Sequence, residues 1–176
     1  MARAFVAVTL PEPVLDAVDA ATAGLELPDA RRTPREQWHL TLQFLGNHVD
    51  LDATAAALET LDAPAGRLGL GGAGAFPKPA RATVLWIGLR EGVLYLSDLA
   101  ERVSRATGVP LEHRPHRPHL TIARPKRATD VRGVVAALDP TSLGDAWDVT
   151  DITLFESVLG SSGARHTPVR TIALRR

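Results

Sequence analysis

The sequence predicts an α+β fold with largely antiparallel sheets. Short strand patterns and amphipathic helix patterns are mixed along all 176 residues, and no long polar linker separates them. This organisation predicts a single domain over residues 1–176. The glycine-rich run GRLGLGGAGAF lacks both the G-x-G-x-x-G spacing and the Lys-Ser/Thr pair of nucleotide-binding loops, which argues against a phosphate loop.

Strand patterns recur as short runs of β-branched, aromatic and aliphatic residues bounded by Pro, Gly or Asn. In chain order they cover 3–10, 37–45, 83–89, 119–123, 147–158 and 169–174. The run 66–76 mixes apolar residues with glycines, which predicts a strand or a loop with a bulge. Residues 31–35 are polar and basic and are interpreted as a connector.

Helix patterns are found in four places. The first holds Val14, Leu15 and Val18 at helical spacing in an alanine-rich run that ends at Gly24. The other three cover 51–61, 93–107 and 131–138. The pattern over 93–107 has its apolar residues on one side and ends at Gly108, which is typical of a helix that packs on a sheet.

Composition excludes several classes of function. The chain has no cysteine, which excludes disulfides, thiolate metal sites and cysteine nucleophiles. Twenty Lys and Arg balance twenty Asp and Glu, so we expect no general electrostatic attachment to long nucleic acid, although a local basic patch fits. No apolar stretch approaches the roughly 20 residues that span a bilayer, and the N-terminus lacks a signal-peptide pattern. We therefore expect a cytoplasmic protein.

One short motif occurs in two of the strand patterns. Residues 38–46 read WHLTLQFLG and residues 118–124 read PHLTIAR, so His39 and His119 each begin an H-x-T motif. The order of elements around the two motifs is similar, which indicates an internal duplication. Because side chains alternate across a strand, each His-Thr pair is expected on one face and its aliphatic neighbours on the other. In the first motif this pattern assigns Gln43 to the His39 face and Phe44 to the opposite face.

Two imidazoles facing one cleft suit acid–base chemistry at phosphorus. Near neutral pH one neutral ring can take a proton from water, while one imidazolium can donate a proton to a leaving oxygen. The hydroxyls of Thr41 and Thr121 can hydrogen-bond the non-bridging oxygens of a phosphate. Such a site needs neither a metal nor a covalent intermediate. The alternative reading is two structural His-Thr pairs in half-buried strands.

Five segments together resemble the 2H phosphoesterases, specifically the RNA 2′,3′-cyclic phosphodiesterase branch, also called the 2′-5′ RNA ligase family. They read RAFVAVTLP, WHLTLQFLG, GAFPKPARATVLWIG, RPHRPHLTIAR and ITLFESVLGSSGARHTPV. The resemblance implies a bilobal fold of pseudo-two-fold symmetry, in which two antiparallel sheets flank a central cleft with helices outside. It implies hydrolysis of a ribose 2′,3′-cyclic phosphate to a 2′-phosphomonoester, with no metal and no cofactor. Some members also join or cleave 2′-5′ linkages in tRNA-like RNA.

The resemblance also implies roles for individual residues. His39 is expected as proton donor, His119 as proton acceptor, and Thr41, Thr121 and Arg124 as substrate-binding residues. The expected substrates are RNA or nucleotide 2′,3′-cyclic phosphate ends, and a monomer is expected because one chain supplies both motifs. The sequence departs from the family pattern in two places. His166 stands where many members have a tyrosine, and Thr83 stands where many have an arginine that the nearby Arg81 could replace.

A metal-binding tract is one competing reading. His113, His116 and His119 recur every three residues and would line up along a polyproline II segment. The interleaved positive charge of arginines, and the single carboxylate of Glu112, argue against a metal site.

A non-catalytic RNA-binding module is the other competing reading. Basic residues flank both motifs, namely Arg31, Arg32, Arg35, Arg114, Arg117, Arg124, Lys126 and Arg127. Trp38, Phe76 and Trp86 could offer stacking surfaces for single-stranded bases. For Trp86 a core position is the stronger expectation. His48 is interpreted as a turn residue.

Overall fold

The computed structural model describes residues 1–27, 29–112, 116–139, 142–161 and 163–176. These residues contain nine strands and four α-helices. The strands are β1 Ala2–Thr9, β2 Ala30–Arg32, β3 His39–Val49, β4 Gly66–Phe76, β5 Val84–Glu91, β6 Leu120–Pro125, β7 Ser142–Val149, β8 Asp151–Gly160 and β9 Gly163–Ala173. The helices are α1 Glu12–Thr22, α2 Leu51–Glu59, α3 Val93–Thr107 and α4 Arg132–Leu138.

The strands form one continuous antiparallel path in the order β7-β4-β5-β6-β3-β1-β8-β9, with β2 added beside β6. The path consists of two four-stranded halves that meet between β6 and β3. A single ladder pair, Leu40 opposite Leu120, joins them within the described residues. The predicted α+β class is therefore confirmed, and the two sheets expected around the cleft are joined edge to edge.

The order of elements repeats in the two halves. The segment β1-α1-β3-α2 is followed later by β5-α3-β6-α4, and each series places its H-x-T strand at the centre of the sheet. This repeat supports the internal duplication that the two motifs indicate.

The core lies between the sheet and the helices. In each H-x-T strand the aliphatic residues that flank the threonine are almost fully buried, namely Leu40, Leu42, Leu120 and Ile122. Helix α3 packs against β3 and helix α1 packs against β7, so each of these two helices contacts the half of the sheet opposite to that of the strand it follows. Burial of these apolar faces holds the two halves together in addition to the single ladder pair.

Both H-x-T strands carry a β-bulge directly after the threonine. Ala7 lies opposite Thr41 but Val6 lies opposite Gln43, so β3 holds one extra residue at Leu42. In the same way Trp86 lies opposite Thr121 and Leu85 lies opposite Ala123, so β6 holds one extra residue at Ile122. A bulge of this kind reverses the side-chain alternation beyond it.

The bulge overturns one prediction about β3. Gln43 does not share the face of His39 and Thr41, because it is 4% exposed and donates a hydrogen bond from Nε2 to the Val109 carbonyl (2.6 Å). Phe44, which the alternation assigns to the opposite face, is exposed and lines the cleft instead.

Several strand boundaries also differ from the prediction, and β9 begins at Gly163, six residues before the predicted run 169–174. The run 147–158 is not one strand, because β7 pairs with β4 in one half and β8 pairs with β1 in the other, and the chain crosses between them at Thr150. The predicted connector 31–35 overlaps β2, which pairs with β6. Strand β3 continues through Gly46, which adopts φ 119°, and includes His48, so His48 is an exposed strand residue.

None of the helices among the described residues has the length and apolar character needed to cross a membrane.

Candidate active site

His39 and His119 are held by the same local hydrogen bond. Strand β3 begins at His39 and β6 begins one residue after His119. In each case Nδ1 lies 2.7 Å from the backbone carbonyl of the residue two positions earlier, Gln37 for His39 and Arg117 for His119. A carbonyl only accepts, so Nδ1 carries the hydrogen and the neutral ring has its lone pair on Nε2. Both rings thus present the same nitrogen, Nε2, for proton exchange.

The electrostatic surroundings favour neutral rings in the unliganded protein. Burial lowers the pKa of His39 to about 4, and the positive charges of His166, His119 and Arg124 act in the same direction. Burial also lowers the pKa of His119, with smaller contributions from His116 and Arg124. Among the described residues, no carboxylate lies beside either ring to stabilise its imidazolium form.

Aromatic rings pack beside each histidine. The ring centroid of Phe5 lies 4.8 Å from that of His39, and Phe155 stacks on Phe5 at 5.2 Å. On the other side Phe76 meets His119 edge to face at 5.0 Å. These apolar contacts are the physical cause of the desolvation that lowers both histidine pKa values.

Both histidines and both motif threonines line one cleft of about 900 Å³. Arg124 lines the same cleft, and the bulge at Ile122 explains why. Without the extra residue Ala123 would share the face of Thr121, but with it Arg124 does so. The structure therefore brings together all five residues that the sequence analysis singled out: His39, Thr41, His119, Thr121 and Arg124.

The cleft is strongly basic although the whole chain has no net charge. Its described lining includes five arginines and three histidines but no Asp or Glu; the arginines are Arg3, Arg31, Arg32, Arg124 and Arg165. Burial and the neighbouring charge of Arg31 lower the pKa of Arg124 from its usual value. Lining of this kind attracts anions and repels cations.

Several cleft residues lie outside the sequence prediction. His166, on β9, meets His39 edge to face with a centroid separation of 5.3 Å. Arg3 stacks on Phe44, with its guanidinium carbon 4.4 Å from the ring centroid, and donates to Asn47 Oδ1 (2.9 Å). The alternation in 3–10 could have assigned Phe5 to the cleft face. For Phe44 no signal exists in the sequence, because its position depends on the bulge.

The described histidines of the tract, His116 and His119, are not arranged as a metal site. His116 Nε2 lies 2.9 Å from the Thr41 carbonyl, on the other H-x-T strand. His113 lies outside the described residues. Among the residues that are described, no three His, Asp or Glu side chains converge in a way that could hold a metal ion.

The residues proposed for base stacking and the flanking basic residues have varied positions. Trp38 is buried. Trp86 is only half-buried and packs on Phe76, so the core position expected for it is wrong. Arg35 is bound to Glu12 and Asp16 at 2.6 and 2.7 Å, away from the cleft lining. Arg81 is exposed and is not part of the described lining, so nothing supports its replacing the family arginine at Thr83.

Comparison with known proteins identifies the family of the chain. The model of the 2′-5′ RNA ligase superfamily matches residues 10–160. The RNA 2′,3′-cyclic phosphodiesterase of Thermus thermophilus is 32% identical, with 98% of this chain and 90% of that protein covered. The enzyme of the same name from Aeropyrum pernix is 31% identical over 73% of this chain and 77% of its own length. Among solved structures, Escherichia coli LigT complexed with 3′-AMP superposes with a TM-score of 0.79 at 26% identity, covering 99% of both chains. The chain belongs to the 2′-5′ RNA ligase superfamily.

Proposed function

We propose that this protein hydrolyses terminal 2′,3′-cyclic phosphates of RNA or nucleotides to 2′-phosphomonoesters, and that residues 1–176 act as one bilobal catalytic unit. One observation carries the proposal. Two histidines on the adjacent central strands of the two halves, each oriented by a carbonyl on Nδ1, open into one arginine-lined cleft that has no acidic residue in its described lining. The names of the relatives support the choice of a cyclic phosphodiester as substrate.

The proposed reaction is a direct in-line displacement at phosphorus. A water oxygen attacks phosphorus while its proton passes to Nε2 of one histidine, and the P–O3′ bond breaks as O3′ receives a proton from Nε2 of the other. Thr41, Thr121 and Arg124 bind the non-bridging oxygens, where negative charge is concentrated in the transition state. Every proton is accounted for by the two rings, so the step calls for no metal and no cofactor.

The charge states of the two rings bear on their roles. The sequence-based assignment makes His39 the proton donor, which requires its imidazolium form. In the unliganded cleft the pKa of His39 is about 4, so His39 holds a proton poorly unless a bound phosphate anion stabilises it. Because burial lowers the pKa of His119 as well, the assignment of acid and base requires a direct test.

The central experiment measures hydrolysis of RNA that ends in a 2′,3′-cyclic phosphate. We expect His39→Ala and His119→Ala each to lower kcat by at least about 100-fold, because general acid or base catalysis by one side chain contributes on the order of 10²- to 10⁴-fold. His48→Ala, which removes an exposed histidine outside the cleft lining, is the matched control. Chelators should have no effect, and the product should carry its phosphate on O2′. Full activity in either cleft variant would refute the two-histidine mechanism, and binding without any turnover would indicate an RNA-binding module.

A second experiment separates the acid from the base. A substrate with sulfur in place of O3′ has a leaving group that needs little protonation. We expect the variant that lacks the acid to recover most of its activity with this substrate, whereas the variant that lacks the base should not. Equal recovery in both variants would contradict separate roles for the two rings.

A further inference from the structure

The cleft contains a third histidine that the two-histidine mechanism does not use. His166 lies on β9 opposite Ser157 of β8, and its ring lines the cleft. Its centroid lies 5.3 Å from that of His39, edge to face, and 4.8 Å from that of Phe5. His166 therefore packs directly on His39, farther from it than Phe5 at 4.8 Å but closer than Phe155 at 6.2 Å.

Only one nitrogen of His166 is available to a ligand. Nδ1 is sealed from solvent and has no hydrogen-bond partner in the described part of the chain. A buried N–H without a partner is rarer in proteins than a buried unpaired acceptor, which favours the lone pair on Nδ1 and the hydrogen on Nε2. Protonation would place a second, unpaired N–H at Nδ1 and would be costly. Burial and the positive charge of Arg3 lower the pKa of His166 in agreement with a neutral ring.

We propose that His166 is a further substrate-binding residue, a neutral donor whose Nε2–H hydrogen-bonds an oxygen of the reacting phosphate beside His39. This inference rests on the proposed function. A group in hydrogen-bond contact with His39 lies about 3 Å from its Nε2, and a ring packed edge to face on His39 can reach the same group. The three histidines then differ in their tasks, because two exchange protons and the third donates without becoming charged.

The nitrogen that acts can be identified with two isosteric substitutions. The amide nitrogen of His166→Gln reaches the place of Nε2, whereas that of His166→Asn reaches the place of Nδ1. We expect His166→Gln to retain most of kcat, and His166→Asn and His166→Phe to lower kcat on the order of 100-fold, as the loss of one preorganised donor to developing charge does. The measurement is kcat and KM for cytidine and adenosine 2′,3′-cyclic phosphates, with His48→Gln as control.

Three results would overturn the proposed role of His166 Nε2 or separate it from other causes of lost activity. Equal kcat in the Gln and Asn variants, or an unchanged kcat in the Phe variant, would overturn the role of Nε2. A loss confined to KM and to one of the two bases would also overturn it, because the contact would then be to the base. Thermal melting of each variant separates loss of the donor from loss of the fold. Inactivity of His39→Ala together with equal activity of all His166 variants would reject this inference and leave the proposed function standing.

Discussion

At the scale of single residues, the partner of each catalytic candidate is a neutral carbonyl and not a carboxylate. The bonds from His39 and His119 to Gln37 and Arg117 fix the orientation of each ring and its tautomer. They lack the full negative charge with which a carboxylate would stabilise an imidazolium. The described cleft lining has no acidic residue, so the negative charge that stabilises the protonated ring comes from the substrate phosphate.

The lowered pKa of His39 couples the cleft to stability. Because the pKa of about 4 in the folded protein lies below the unfolded value of 6.5, unfolding takes up a proton between these limits. The contribution of His39 to the free energy of unfolding is therefore fully present above pH 6.5 and is lost as the pH falls toward 4. We expect the free energy of unfolding of the native protein to fall between pH 7 and pH 4.5 by about 2 kcal/mol more than that of His39→Gln.

Urea denaturation at the two pH values measures this difference. Titrating groups that do not interact with His39 affect both proteins equally and cancel in the comparison. Parallel losses of stability in the two proteins would contradict the buried, neutral state of His39.

At the scale of elements, the side chains that face the cleft could be predicted from the sequence up to the two bulges but not beyond them. The H-x-T strands, helix α3 and helix α2 follow from local periodicity, since burial of one face dictates their pattern. The extra residues at Leu42 and Ile122 depend on the neighbouring strands, which the local pattern does not contain. Thus His39 and Thr41 could be assigned to the cleft, whereas Phe44 could not. Arg124 was identified only through the family resemblance.

The seam between β3 and β6 offers an element-scale test. One ladder pair joins the strands, and the bond between His116 Nε2 and the Thr41 carbonyl adds a second connection close to the cleft. We expect His116→Leu to lose about 1 kcal/mol of stability, because the partly buried Thr41 carbonyl loses its donor. The melting temperature should fall by about 2–4 °C, and kcat should fall because the two H-x-T strands are held less firmly.

His48→Leu is the matched control for this substitution. His48 lies on β3, as Thr41 does, but is exposed near the far end of the strand, so this variant should match the native protein in melting temperature and in kcat. If His116→Leu behaves in the same way as the control, the bond does not contribute to the seam.

At the scale of the whole molecule, the fold separates charges that cancel in the sequence. Acidic groups outside the cleft neutralise basic ones, as where Glu12 and Asp16 bind Arg35. Arg31, Arg124 and Arg165 have no acidic partner among the described residues and lie in the cleft. The basic cleft could not be predicted from the net charge of zero, because composition carries no information on which arginines lie together in the fold.

The separation predicts a dependence on salt. The Debye length falls from about 10 Å at 0.1 M to about 3 Å at 1 M ionic strength, so added NaCl should raise KM for a cyclic phosphate several-fold with a smaller effect on kcat. The Arg165→Gln variant should show a weaker dependence of KM on salt. Arg105→Gln, which removes a surface arginine of α3 beside Glu101, should behave as the native protein does. A KM independent of salt in the native protein would refute electrostatic attraction by the cleft.

The same arrangement of arginines has a consequence for the end of the catalytic cycle. A cyclic phosphodiester carries one negative charge, whereas the phosphomonoester formed from it approaches two at neutral pH. A cleft whose described lining is basic and free of carboxylates therefore holds the product more strongly than the substrate. Release of the product, rather than the displacement at phosphorus, is then the step that these arginines slow.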